Sequence, residues 1–392
     1  MIYVHVPFCR SFCTYCDFYS EVALRCPKIE DARRQEALFE RYAEALADEI
    51  RARKNEIQGV RTSGGVNTLY LGGGTPSVLP LGVLQRIPDA LKEAGVSDGF
   101  EEFTIEVNPE DIIEKGISYV EGLLQMGVNR VSMGVQSFDD AILKWMNRRH
   151  DAAAAVRAYG ILEEAGVQNI SIDLIFGLPQ LSDSLWRETL DRALSISSRG
   201  ISPQHISSYQ LSVESGSMLA KLVDKGKWTE ASEEQCQGQY SILCETLASF
   251  GYNHYEISNF ARPGFEAVHN SAYWRHVHYV GLGPGAHSFA GGTSRQWNTD
   301  DLDGYMAAAI TGDFSSVSGS ESLDKEQIIM EKVMLALRTS SGMQEELLSE
   351  YCSKKALEKA FESGDLVRCQ DGNVRIPESR FFVSDNIISS II

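Results

Sequence analysis

The chain opens with Met1-Ile2-Tyr3-Val4-His5-Val6-Pro7-Phe8-Cys9-Arg10-Ser11-Phe12-Cys13-Thr14-Tyr15-Cys16, and the reading of this stretch decides the fold. Ile2–Val6 is a short apolar run rich in β-branched side chains, the pattern of a buried strand. Three cysteines follow it at C-x3-C-x2-C spacing in one tight loop at the strand's carboxyl end. Cluster ligands are thiolates, and a cubane has four irons. Three thiols from one loop leave the fourth iron without a protein ligand, the open position a binding or catalytic centre needs. The alternatives are a zinc site, which normally takes a fourth Cys or His nearby, and chance clustering of buried thiols.

Outward from this loop, short apolar runs alternate with longer amphipathic stretches. Strands are expected at Ile2–Val6, Asn67–Leu71, Phe103–Val107, Arg130–Val135, Asn169–Ile175 and His205–Leu211. Helices are expected near 30–55, 81–95, 112–126, 139–165 and 183–198. This alternation predicts right-handed βαβ units and a parallel sheet. Six units are too few for an eight-fold barrel, so a partial barrel or open sheet results, with ligands at the carboxyl ends of the strands. Unusual residues gather there. Gly72-Gly73-Gly74-Thr75-Pro76 follows the second strand, where glycines let backbone amides approach a ligand closely. Glu106 ends the third strand, Gln136 the fourth, and Asp173 interrupts the apolar fifth. Arg148 stands in Met146-Asn147-Arg148-Arg149-His150. Each taken singly is also compatible with a turn or an internal salt bridge.

After Leu211 the rhythm changes. A helical stretch near Glu233–Phe250 leads into a Gly-, His- and aromatic-rich segment, and the Ser-rich residues 311–325 read as a linker. Beyond it, helices near 326–338, 344–350 and 353–363 and an Asp371-Gly372 hairpin form a winged-helix-like pattern. The net charge of −18 argues against DNA or RNA as the partner of such a shape, because phosphate recognition draws on Lys and Arg. No apolar run reaches the length of a membrane span, and the first residues already read as a strand rather than a signal peptide. Eight cysteines, three of them crowded between 9 and 16 and the rest (Cys26, Cys236, Cys244, Cys352, Cys369) scattered, suit a reducing cytoplasm better than a disulfide framework.

The cysteine loop resembles the signature of the radical S-adenosylmethionine superfamily, carried on a (β/α)6 partial barrel, over at least residues 1–215. The resemblance implies a [4Fe–4S] cluster on Cys9, Cys13 and Cys16, with S-adenosylmethionine chelated by the open iron. It further implies contacts to that cofactor from Tyr3, Tyr15, Gly73, Gly74, Thr75, Glu106, Gln136, Arg148 and Asp173, as in the branch containing oxygen-independent coproporphyrinogen III dehydrogenase.

Two features choose within the branch. The dehydrogenase adds a fourth cysteine where this chain has Phe18, and it carries a long segment before its first cysteine. Downstream, His269-Asn270-Ser271-Ala272-Tyr273-Trp274 and Gly281-Leu282-Gly283-Pro284-Gly285-Ala286-His287 resemble elements of HemW-type heme chaperones. That resemblance implies a chaperone rather than a turnover enzyme. It implies heme held by His269, Asn270, Tyr273 and Trp274, an acceptor protein and a homodimer. An imidazole ligand flanked by aromatic faces suits a porphyrin. The chain departs from the family at Arg275-His276-Val277-His278, whose imidazoles are alternative iron ligands, at Ser217, and in the stretch from Phe18 through Cys26 to Gln35. The expected division is a barrel over 1–225, a heme-motif segment over 226–315 and a winged-helix-like domain over 316–392. The dehydrogenase remains the rival reading, and radical methyltransferases or cyclopropanases of the same branch a more distant one.

Overall fold

The computed structural model describes residues 1–22, 29–62, 65–96, 99–289 and 291–392; Cys26 lies outside the described residues. Six parallel strands follow the expected rhythm: β1 (Ile2–Val6), β2 (Thr68–Gly73), β3 (Glu102–Val107), β4 (Arg130–Gln136), β5 (Ile170–Phe176) and β6 (His205–Gln210). They lie side by side in chain order. Helices α1 (Ile29–Ala52), α2 (Lys54–Thr62), α3 (Leu81–Glu93), α4 (Pro109–Met126), α5 (Asp140–Trp145), α6 (Ala152–Ala165) and α7 (Asp183–Leu194) fall between them. The apolar sides of these helices and of the strands form one core, with Ile2, Val4, Leu69, Leu71, Ile105, Met133 and Ile172 all buried.

The other side of each strand is polar. Tyr3, Tyr70, Glu106, Ser132, Asp173 and Ser207 line up across β1 to β6 at alternate positions, as the two-residue side-chain period requires. The sheet buries apolar residues against the helices and turns polar ones to its other face, and this is where the site forms.

Three further strands extend the sheet. β7 (Asn253–Glu256) and β8 (Asn259–Ala261) run antiparallel beyond β6, and β9 (Val280–Leu282) pairs in parallel with the outer edge of β1. The edge at β9 is fastened by Glu49 of α1, which is fully buried. Glu49 accepts from Gly283 N (2.8 Å), Asn298 Nδ2 (2.9 Å) and Tyr305 Oη (2.7 Å), and pairs with Arg53.

Two expectations are corrected. The single helix expected over 139–165 is two, because Asp139 and Asp151 cap separate N-termini by accepting from Ile142 N and Ala154 N. The turn between them carries Arg148. Residues 311–325 are not a linker: β12 (Ser318–Ser322) pairs antiparallel with β11 (Ser294–Asn298), which pairs with β10 (His287–Phe289). The boundary expected between 315 and 316 therefore falls just before a strand that belongs to the preceding sheet. The chain then turns at Asp324, whose capping box starts a helix over Lys325–Leu337. Helices Glu345–Tyr351 and Lys354–Glu362 follow, with a small antiparallel sheet whose hairpin turns at Asp371-Gly372. Among the described residues no helix is long and apolar enough to cross a membrane.

Candidate functional site

At the carboxyl ends of β1 to β6 the polar interior opens into a cavity of about 660 Å³. Cys9, Cys13 and Cys16 stand on its wall, with Tyr15 between the last two. The loop that carries them is pinned from both sides. Thr14 donates its N–H to Met146 O (3.1 Å) and its hydroxyl to Trp145 O (2.8 Å), and its own carbonyl accepts from Leu219 N (2.8 Å). Asn147, at φ 59°, donates to Phe12 O (2.6 Å). Cys9 Sγ lies 3.4 Å from Thr75 Oγ1.

The three thiols do not converge on one metal-ion position, and among the described residues no His, Cys, Asp or Glu group does. Burial pushes the Cys16 thiol up to about 12, despite a backbone hydrogen bond from Phe18, and raises Cys9 as well. Such thiols release their protons to a metal rather than to water, so binding and deprotonation are coupled.

Arg148 organises the rim. Its Nη1 donates to Cys13 Sγ (3.4 Å) and its Nη2 to Asn108 Oδ1 (2.6 Å) and Gly134 O (2.8 Å). Asn108 in turn donates to Thr75 Oγ1 (3.2 Å). One guanidinium thus ties the cysteine loop to the ends of β3 and β4 and to the glycine turn. Below it, burial works to raise Glu110, but the hydrogen bond with His150 and the charge of Arg148 prevail and hold its carboxyl down at about 2.

The glycine turn is built for close approach. Gly73 has φ +105°, and a Cβ there would sit 2.6 Å from the His5 ring; at Gly74 it would meet Phe8 O at 2.8 Å. Gln136 also holds a positive φ, 67°, strain of the kind that gathers at ligand sites. Glu106 accepts from Tyr70 Oη (2.7 Å) and Gly73 N (3.2 Å), yet burial, with the Asp173 charge beside it, raises its carboxyl to about 7. Burial raises Asp173 too, against hydrogen bonds from Ser207 and Ser132.

Of the residues expected to contact S-adenosylmethionine, Tyr15, Gly73, Gly74, Thr75, Glu106, Gln136, Arg148 and Asp173 line the cavity. Tyr3 does not. Its hydroxyl turns to His5 Nδ1 (3.0 Å), whose Nε2 bonds Tyr19 O (2.9 Å). Of the heme candidates, Asn270 alone lines the cavity. His269 is fully buried, with Nδ1 on Thr68 Oγ1 (2.8 Å) and Nε2 on Tyr273 Oη (3.0 Å), and burial lowers its imidazole to about 3. Both of its nitrogens are engaged by protein hydroxyls. His276 bonds Glu331 (3.3 Å), and His278 packs edge-on to Phe289. Sequence reasoning missed Asn108, Tyr70, Ser207 and Arg130, all on the cavity wall. Arg130 carried a legible signal, a charge at the first position of an otherwise apolar strand.

A parallel sheet with a three-cysteine loop and a glycine turn at its carboxyl edge defines a radical S-adenosylmethionine domain, and the family model described as Radical SAM superfamily matches residues 3–193. The chain is 34% identical over 341 residues to the heme chaperone HemW of Lactococcus lactis subsp. lactis (strain IL1403), covering 87% of this chain and 82% of that one. It is 31% identical over 351 residues to heme chaperone HemW of Bacillus subtilis (strain 168), covering 89% and 86%. Within the superfamily the chain belongs to the HemW family. The fold is shared with coproporphyrinogen III oxidase (HemN) from Escherichia coli, a radical SAM enzyme, at a TM-score of 0.76 and 21% identity over 99% of this chain and 89% of that one. Membership of the superfamily implies a [4Fe–4S] cluster and S-adenosylmethionine.

Proposed function

We propose that the chain is a heme chaperone that binds heme and passes it to an acceptor protein, with a cluster and S-adenosylmethionine seated in the same cavity. One observation carries this reading: a single cavity brings together the wall of three thiols and Asn270 of the H-N-x-x-Y-W stretch. Cys9, Cys13 and Cys16 would each hold one iron. The open iron supplies a chelation point for the amino and carboxylate groups of S-adenosylmethionine.

The residues of the chain do the rest. Gly73 and Gly74 clear space for the methionine end, and Thr75 and Arg148 orient the loop. Glu106 and Asp173 lie deeper, where carboxylates suit a cationic or hydroxyl-bearing ligand. Tyr3 would reach the nucleotide only by leaving His5. The heme candidates are His269, Asn270, Tyr273 and Trp274. Axial ligation by His269 requires its Nε2 to leave Tyr273; His276 and His278 are the other imidazoles of the segment. A homodimer belongs to the same reading, and the three-part division at 225/226 and 315/316 is retained as a proposal with the strand pairing noted above.

Heme titration followed at the Soret band tests the reading. The wild type should saturate; His269→Ala and Asn270→Ala should bind more weakly, and a wild type with no spectral change would sink it. Kinship with the HemN fold keeps one second reading, oxidative decarboxylation of coproporphyrinogen. Protoporphyrinogen formed over many turnovers by the reduced holoprotein would establish that reading instead.

A further inference from the structure

The cavity floor holds a buried guanidinium. Arg130 opens β4, is 1% exposed and lines the cavity. Its Nε and Nη1 have no hydrogen-bond partner among the described residues. Glu106 and Asp173 feel its charge, while the hydrogen bonds of their carboxylates run to Tyr70 and Gly73 and to Ser132. His205 and His269, which feel the Arg130 charge, are kept neutral by burial. Buried N–H donors left without a hydrogen bond are costly, and the planar fork of a guanidinium matches a carboxylate through two parallel N–H donors.

We propose that Arg130 receives a ligand carboxylate at the floor of the cavity, and that this carboxylate is a propionate of a bound tetrapyrrole. The proposal rests on the tetrapyrrole reading above. The other source of a carboxylate is the methionine end of S-adenosylmethionine, which is expected at the cysteine rim. At about 3.3 Å per strand residue, the Cα of Arg130 lies roughly 20 Å along β4 from that of Gln136 at the rim. A ligand that touches both ends must be long, and its acid group at Arg130 is separate from the chelating one. Asn270, on the same wall, would then contact the ligand from the side of the heme-motif helix.

The test uses the reconstituted holoprotein with protoporphyrin IX and its dimethyl ester, both metal-free so that axial ligation plays no part. Wild type should bind the free acid about tenfold or more tightly than the ester, the scale of one charge-assisted bidentate pair. Arg130→Met should bring that ratio to about one, and Arg130→Lys should keep part of it, with S-adenosylmethionine affinity unchanged in both. Loss of S-adenosylmethionine affinity with the acid-to-ester ratio intact would overturn the propionate assignment in favour of the methionine carboxylate. Wild-type behaviour of the variants in both titrations overturns the role altogether. If wild type binds neither porphyrin, the functional reading fails on its own, and the S-adenosylmethionine titration still decides Arg130.

Discussion

Glu106 gives the most quantitative handle on the cavity. In the folded chain its carboxyl is raised to about 7, first by burial and then by the Asp173 charge, from an ordinary value of 4.5. Between those values the folded protein binds more protons than the unfolded one. Stability therefore falls as pH rises from 4.5 to about 7 and levels off above. At 1.36 kcal/mol per pH unit, the penalty reaches about 3 kcal/mol. An unfolding entropy of roughly 2.1 cal/mol/K per residue makes this a Tm shift of about 4 °C for a chain of this length. The perturbation is Glu106→Gln, which cannot ionise, compared with wild type in the cluster-free protein by calorimetry from pH 5 to pH 8. The variant costs some hydrogen bonding to Tyr70 or Gly73 at every pH, so the readout is the difference in slope. Wild type should lose about 3 °C relative to the variant between pH 5 and pH 8, part of the penalty being already present at pH 5. Parallel profiles, or a wild type that gains stability on the variant as pH rises, would show that Glu106 ionises freely and refute the electrostatic picture of the floor.

Arg148→Met should release the cysteine loop, since it strands Asn108 Oδ1 and Gly134 O; leaving a buried acceptor unsatisfied costs about 1–3 kcal/mol, measurable by urea unfolding, and the variant should hold less iron after anaerobic reconstitution. Gly73→Ala forces a Cβ into the His5 ring at a positive φ, so on the order of 1–3 kcal/mol of strain and weaker S-adenosylmethionine binding by calorimetric titration are expected. His269→Ala leaves the buried Thr68 hydroxyl unpaired and should cost about 1–3 kcal/mol in chemical denaturation even without heme. Replacing Cys9, Cys13 and Cys16 together by alanine should abolish the four-iron Mössbauer signal, and a cluster that survives would refute the ligand assignment.

The cavity wall was legible wherever a residue broke its local pattern. Glycines after an apolar strand, a glutamate at the end of one and an aspartate inside another announce themselves because burial makes them costly. The Ser-rich β12 did not announce itself. Exposed strand positions carry no apolar alternation, so Ser318–Ser322 reads as a linker until its partner β11 is seen. The break between α5 and α6 was equally hidden, because one helix was expected across 139–165 and the cap at Asp151 shows itself only in its bond from Ala154 N. Tyr3 and His269 were named through the resemblance, but their hydrogen-bond partners, His5 and Thr68, decided which way they face.

By itself the sequence determined the chemistry available: three thiols at one strand end, six strands in an alternating rhythm, and a set of polar groups at their carboxyl edges. Those features are local, fixed by spacing along a few residues. The tertiary structure decided which of these groups meet, that Arg148 ties the loop to the ends of β3 and β4, that His269 is sealed while Asn270 lines the cavity, and that Arg130 keeps Nε and Nη1 without a hydrogen bond. Such outcomes depend on residues far apart in the chain competing for the same donors and acceptors. No pattern read along one strand records the result of that competition.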